Sequence, residues 1–186
     1  MFNDRTYARK TLTKTIVLAT WCLAAAGAAE GQGAPVSDAL RSSAQRAGRN
    51  LVAAAEEMPA AKYAFKPTKA QMTFGEVIDH LSGGNDFLCS HIAGVEAPKR
   101  ADLSKGAPKD KLVARLRESF RFCDSALADV DDSKLSEKVK YFDEGEITRA
   151  AAMVGAVEDW AGHYSQLAVY LRLNGLLPPT AKGRKN

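Results

Sequence analysis

The chain has 186 residues, 46% of them hydrophobic and 26% charged, with 26 Lys and Arg against 22 Asp and Glu. Most of the formal net charge of +4 belongs to the N-terminus: cutting after residue 29 removes four basic residues and one acid, leaving 22 against 21, a net of +1. So balanced a chain lacks the clustered basic face that a nucleic-acid groove needs, which excludes that class of partner; the 157 residues that remain from 186 are one domain's worth.

Residues 1–29 predict a secretory leader. Arg5, Arg9, Lys10 and Lys14 form its basic start, and Thr15 to Ala26 is a short apolar run. Ala26-Gly27-Ala28 and Gly27-Ala28-Ala29 both offer small residues before a cut. The run is shorter than the roughly 20 apolar residues of a spanning helix, so no membrane contact is expected after cleavage. Trp21 before Cys22 argues against a lipoprotein. The mature chain is expected to be periplasmic or secreted, in an oxidising compartment. Its two remaining cysteines, Cys89 and Cys123, fit either a disulfide or two buried thiols.

A linker over residues 30–36 leads to a first helix over about residues 37–57. Ser37 stands as its cap, Asp38 lies in its first turn, and Leu40, Ala44, Ala47, Leu51, Ala54 and Met58 recur at helical steps. Pro59 and Pro67 bracket an irregular link. Thr73-Phe74-Gly75-Glu76 is a capping box that opens a second helix running to about Ala93, with Val77, Ile78, Leu81 and Leu88 as its apolar arc. Residues 94–108 predict a loop. A third helix covers about Lys109 to Ala128, with Leu112, Leu116, Phe120, Cys123 and Leu127 inward. Val130 to Gly145 is polar and acidic, apart from Val139, Tyr141 and Phe142. The fourth and longest helix opens near Thr148 and stops at Asn174-Gly175, before Pro178-Pro179. Residues 177–186 form a basic tail. Four helices without an alternating strand pattern predict an all-α four-helix bundle over 37–176. At up to ~3.3 Å per residue, the 94–108 loop can travel back along a helix, which permits an up-down-down-up order. In that order Cys89 and Cys123 share one end of the bundle; in a simple up-and-down order they do not, so a disulfide would support the crossover.

Three side chains carry the chemistry. Asp159 and His163 are four apart in the fourth helix and share a face. At about 100° per residue, His163 lies ~160–180° from Ser165 and Arg172, which with Glu158 mark the wet face, and ~40° from Asp159. Both are therefore expected to point inward, where a carboxylate needs a partner or a cation. His80 shares a stripe of the second helix with Val77, Gly84 and Phe87. Two histidines and a carboxylate are enough to hold a divalent metal and leave positions open for substrate. A buried, purely structural Asp–His pair also fits the spacing, as does an Asp159 that reaches solvent at the bundle's mouth. Glu76, one turn before His80, and Gln166, one turn after His163, are expected to support the ligands. His91 stands ~16 Å along the helix from His80, out of reach.

The stretches Ala54-Ala55-Glu56-Glu57-Met58-Pro59 and Tyr63-Ala64-Phe65-Lys66-Pro67, the Thr73–Glu76 box with His80, and His163-Tyr164-Ser165-Gln166 leading to Tyr170-Leu171-Arg172-Leu173-Asn174-Gly175 resemble the DinB-like superfamily in order and spacing, over about residues 37–180. The resemblance implies an up-down-down-up bundle with a divalent-metal site of three His: one on the second helix and two spaced i, i+4 on the fourth. His80 and His163 match two of those positions, and Asp159 departs from the usual His at the third. The departure shifts preference toward harder ions among Zn, Ni, Mn and Fe. The resemblance also implies a relation to thiol-dependent transferases and isomerases, and is compatible with a homodimer. Two functions follow: a metal-dependent hydrolase or thiol transferase acting on a small electrophile, or a non-catalytic exported bundle, a binding or stress-related module whose polar triad is structural.

Overall fold

The structure, a computed structural model, describes residues 33–182. The leader, and residues 183–186 of the basic tail, lie outside the described residues. Four helices make the body: α1 (Pro35–Glu57), α2 (Phe74–Ala93), α3 (Lys109–Ala126) and α4 (Arg149–Leu173). No helix among the described residues is long and apolar enough to cross a membrane.

Pairwise contacts fix the order of the bundle. Asn85 meets Ser119 and Cys89 is bonded to Cys123, two links with the same sequence offset of 34, so α2 and α3 run parallel. Arg149, at the start of α4, donates to the Ile92 carbonyl near the end of α2. Tyr170, near the end of α4, donates to the Met72 carbonyl at 3.0 Å, ahead of α2. Those helices are therefore antiparallel. Arg41 of α1 reaches the carbonyls of Leu127 and Val130 past the end of α3, and Lys109 of α3 reaches Glu56 at the end of α1, so that pair is antiparallel too. The result is the up-down-down-up bundle. Its crossover, residues 94–108, is pinned by Arg100, which forks onto Asp86 of α2 and also reaches Glu118 of α3 at 3.0 Å. A planar guanidinium suits such a double carboxylate grip. Glycine at 94, with φ of 72°, turns the chain out of α2 where a side chain would be strained.

Two local expectations change. Ser37 does not cap α1. The helix begins at Pro35, Ser37 is buried in its first turn, and the cap comes from Asp132, whose carboxylate accepts from the Val36 and Ser37 amides at 3.0 and 2.9 Å and from the Ser37 hydroxyl at 2.7 Å. A cap from 95 residues away leaves no local signal. Burial opposes charge on this carboxylate, but the Ser37 and Val36 hydrogen bonds, with Arg41 nearby, outweigh it and hold the pKa below the usual carboxylate range. The stability it contributes is present above the ordinary carboxylate pKa and lost as pH falls through the depressed folded value. Asp132→Asn should therefore lower the melting temperature at neutral pH and flatten its loss on acidification, as read by circular dichroism melts across the acid range.

The second change lies in the polar, acidic segment before α4, where no strand was expected. It forms a small antiparallel hairpin, β1 (Lys138–Lys140) with β2 (Glu146–Thr148), paired Lys138 to Thr148, Val139 to Ile147 and Lys140 to Glu146. Three-residue strands are too short to show period-two patterning. The Thr148 side chain then accepts from the Ala151 amide and opens α4.

The core is continuous from Leu40 and Leu51 of α1 through Val77, Leu81 and Leu116 to Trp160. At mid-bundle lies one buried polar chain. The Trp160 indole donates to Asn85 Oδ1 at 2.7 Å, Asn85 donates to the Ser119 hydroxyl at 3.0 Å, and Ser119 donates to the Leu116 carbonyl at 2.9 Å. Asn85 and Ser119 are fully buried, and each is satisfied, as a buried polar group must be.

Candidate metal centre

The Asn85–Trp160 bond sets α2 against α4 close to the three candidate donors. His80 lies five residues before Asn85, and His163 three residues after Trp160 on the antiparallel partner. The two imidazoles consequently sit side by side, with ring centroids 5.3 Å apart and planes at 41°. Asp159 is one turn back, its Oδ1 3.3 Å from His163 Nδ1.

The location differs from the inward one expected. His80 is exposed, while the side chains of Asp159 and His163 retain 23% and 14% exposure. The reason is angular. Val77, Ile78 and Leu81 take the centre of the α2 face, and Trp160 and Leu167 take that of α4. The three polar residues fall on the shoulders of those arcs and line a surface groove between the helices.

His163 is already oriented. Its Nδ1 lies 2.8 Å from the Asp159 carbonyl, which can only accept, so in the neutral ring Nδ1 carries the proton and Nε2 keeps its lone pair. A fixed tautomer of this kind is what a ligating histidine requires. The Asp159 carboxylate raises the pKa of the ring above its ordinary value, with burial opposing. That carboxylate is turned onto His163, and among the described residues no three His, Cys, Asp or Glu side chains are arranged around one ion. The donor types nonetheless suit a divalent cation. Because the backbone carbonyl also contacts Nδ1, turning the Asp159 carboxylate away would leave that hydrogen bond in place.

The expected supporting residues are placed elsewhere. Glu76 closes the capping box, accepting from the Thr73 amide at 2.7 Å. Hydrogen bonding to the Thr73 backbone and then its side chain holds its carboxylate below the usual range. Gln166 donates to the Tyr170 hydroxyl at 3.2 Å rather than to His163. His91 is held by the Phe87 carbonyl at 2.8 Å, away from the pair. A cavity of about 590 Å³ opens between Tyr63, Glu76, Leu103 and Leu112 and includes no residue of α4; donor chemistry, not volume, picks out the groove. Asn85 escaped the sequence reading, although a signal was present: it falls on the Leu81–Leu88 arc, where an amide must find partners.

The solved structures that this fold is similar to include a DinB-like protein from Bacillus subtilis, 18% identical, with a TM-score of 0.61, covering 74% of this chain and 92% of that one. A conserved protein from Enterococcus faecalis is 17% identical, with a TM-score of 0.59, covering 74% of this chain and 96% of its own. No curated protein matches the chain. The DinB superfamily model matches residues 43–167, from the middle of α1 to beyond His163, and the chain belongs to the DinB superfamily.

Proposed function

We propose that this DinB protein is exported and binds one divalent cation, of Zn, Ni, Mn or Fe type, at His80, Asp159 and His163. The observation that carries the reading is the adjacency of the two imidazoles across the α2–α4 groove, 5.3 Å between centroids, with the His163 tautomer already set by a backbone carbonyl. His80 and His163 supply nitrogen, and Asp159 supplies oxygen once its side chain turns from Nδ1. An ion there would act as a Lewis acid, drawing the pKa of a coordinated water or thiol toward neutrality. With His80 exposed, a small electrophile can reach the donors, and hydrolysis or thiol transfer is the reaction class. Export rests on the leader-like residues 1–29.

A metal-free reading has one observation in its favour: Asp159 and His163 satisfy one another and need no ion. Thermal melts separate the two. A ligand present at about 100 times its Kd stabilises by about 2.7 kcal/mol, so added metal should raise the wild-type melting temperature by several degrees. The rise should vanish in His163→Ala and grow for Zn in Asp159→His, which restores three nitrogen donors. Melts indifferent to metal and to EDTA in all three proteins would favour the structural pair.

A further inference from the structure

The turn of the β1–β2 hairpin carries two neighbouring aromatic residues, Tyr141 and Phe142. Tyr141 packs on α4, where Gly155 makes room for it: a Cβ there would collide with the Tyr141 hydroxyl. Phe142 packs on α2, with its ring stacked on Phe87 at 4.8 Å and 14°. Neighbouring residues of one turn thus touch opposite sides of the α2–α4 groove and straddle it. Phe87 also packs against His91, with ring centroids 4.2 Å apart. Phe142 meets Phe87 face to face and Tyr141 edge-on, yet remains 39% exposed. It also adopts φ of 37°, a left-handed conformation that is costly for a bulky side chain and recurs at ligand clamps.

The hairpin and the donor cluster belong to the same groove. On α2, Phe87 is seven residues beyond His80, about 10 Å along the axis; on α4, Gly155 is one turn, about 6 Å, before Asp159. Between them, the Gly84 position has no neighbour within 4 Å of a built Cβ, so the floor there is open.

We propose that Tyr141 and Phe142 form the substrate-recognising wall of this groove, selecting small molecules with a planar aromatic ring that stacks on Phe142 while their polar head reaches His80 and His163. The inference deepens the metal-site reading and rests on its groove. A ring rather than an alkyl chain is favoured because the free surface continues an existing stack, and offset ring pairs gain energy beyond area burial.

The test compares 3-phenylpropanehydroxamic acid with hexanohydroxamic acid on the Zn-loaded protein by calorimetry, for wild type and Phe142→Asn. Asn removes the ring and tolerates the left-handed backbone. Wild type should prefer the phenyl probe by about two- to tenfold, and Phe142→Asn should lose that preference with Zn affinity unchanged. Equal affinities in wild type, or a preference that survives Phe142→Asn, would overturn the wall while leaving the metal site intact. A second arm needs no ion: saturation transfer from metal-free protein to the ring protons of 3-phenylpropionate, expected for wild type and lost in Phe142→Asn. No transfer to the ring, or equal transfer from both proteins, overturns the proposal even where Zn fails to bind.

Discussion

Removing the Cys89–Cys123 disulfide, by reduction or by Cys89→Ser with Cys123→Ser, is expected to destabilise the protein by about 3–4 kcal/mol, the chain-entropy value for a loop of this size. For a chain of this length that is a fall of roughly 10 °C in melting temperature. The bond joins two parallel helices across the long crossover. Without it, the unfolded chain regains the freedom of the whole 89–123 segment. The folded bundle changes little, because both cysteines are buried in the core. Urea unfolding with and without dithiothreitol measures the effect. A shift below about 1 kcal/mol would mean that the denatured state already holds α2 and α3 together.

Asn85→Ala is expected to cost about 2–4 kcal/mol. It opens a small cavity and orphans the Trp160 N–H, a buried donor that carries a desolvation penalty of about 1–3 kcal/mol, while the Ser119 hydroxyl keeps its bond to the Leu116 carbonyl. Asn85→Leu fills the space but still strands the indole. Asn85→Leu combined with Trp160→Phe removes donor and acceptor together and should recover part of the loss. A double-mutant cycle by chemical denaturation reads the coupling directly. Additive single and double mutants would show that the bond contributes no coupling. Since this bond also sets α2 against α4 within about two turns of His80 and His163, a loosened register should reduce metal affinity as well.

The bundle was legible because helical periodicity and caps are local. Thr73–Glu76 opens α2 as its spacing implies, and α2 ends at Ala93 before a left-handed Gly94. The loop length only permitted the crossover order and the cysteine pair was open between a bond and two thiols; it was the family resemblance that implied the order, and the Cys89–Cys123 bond agrees with it. What escaped the reading was non-local. Asp132 caps a helix 95 residues earlier, and Val139 and Ile147 pair across strands too short to alternate. At the site, residue type and spacing brought His80, Asp159 and His163 to one groove but not to their depth in it. Positions at the edge of an apolar arc read the same whether the neighbouring helix covers them or not. Glu76 shows the same ambiguity differently: one carboxylate fitted both a cap and a supporting group, and the cap, made of local bonds, takes it.

The central claim is that His80, Asp159 and His163 share one divalent ion. Elemental analysis of untagged protein, exported to the periplasm and purified without chelators, tests it most directly. The account predicts about one divalent metal per chain in wild type and only traces in His80→Ala and His163→Ala, each still folded by circular dichroism. The same trace content in wild type as in both variants would contradict it.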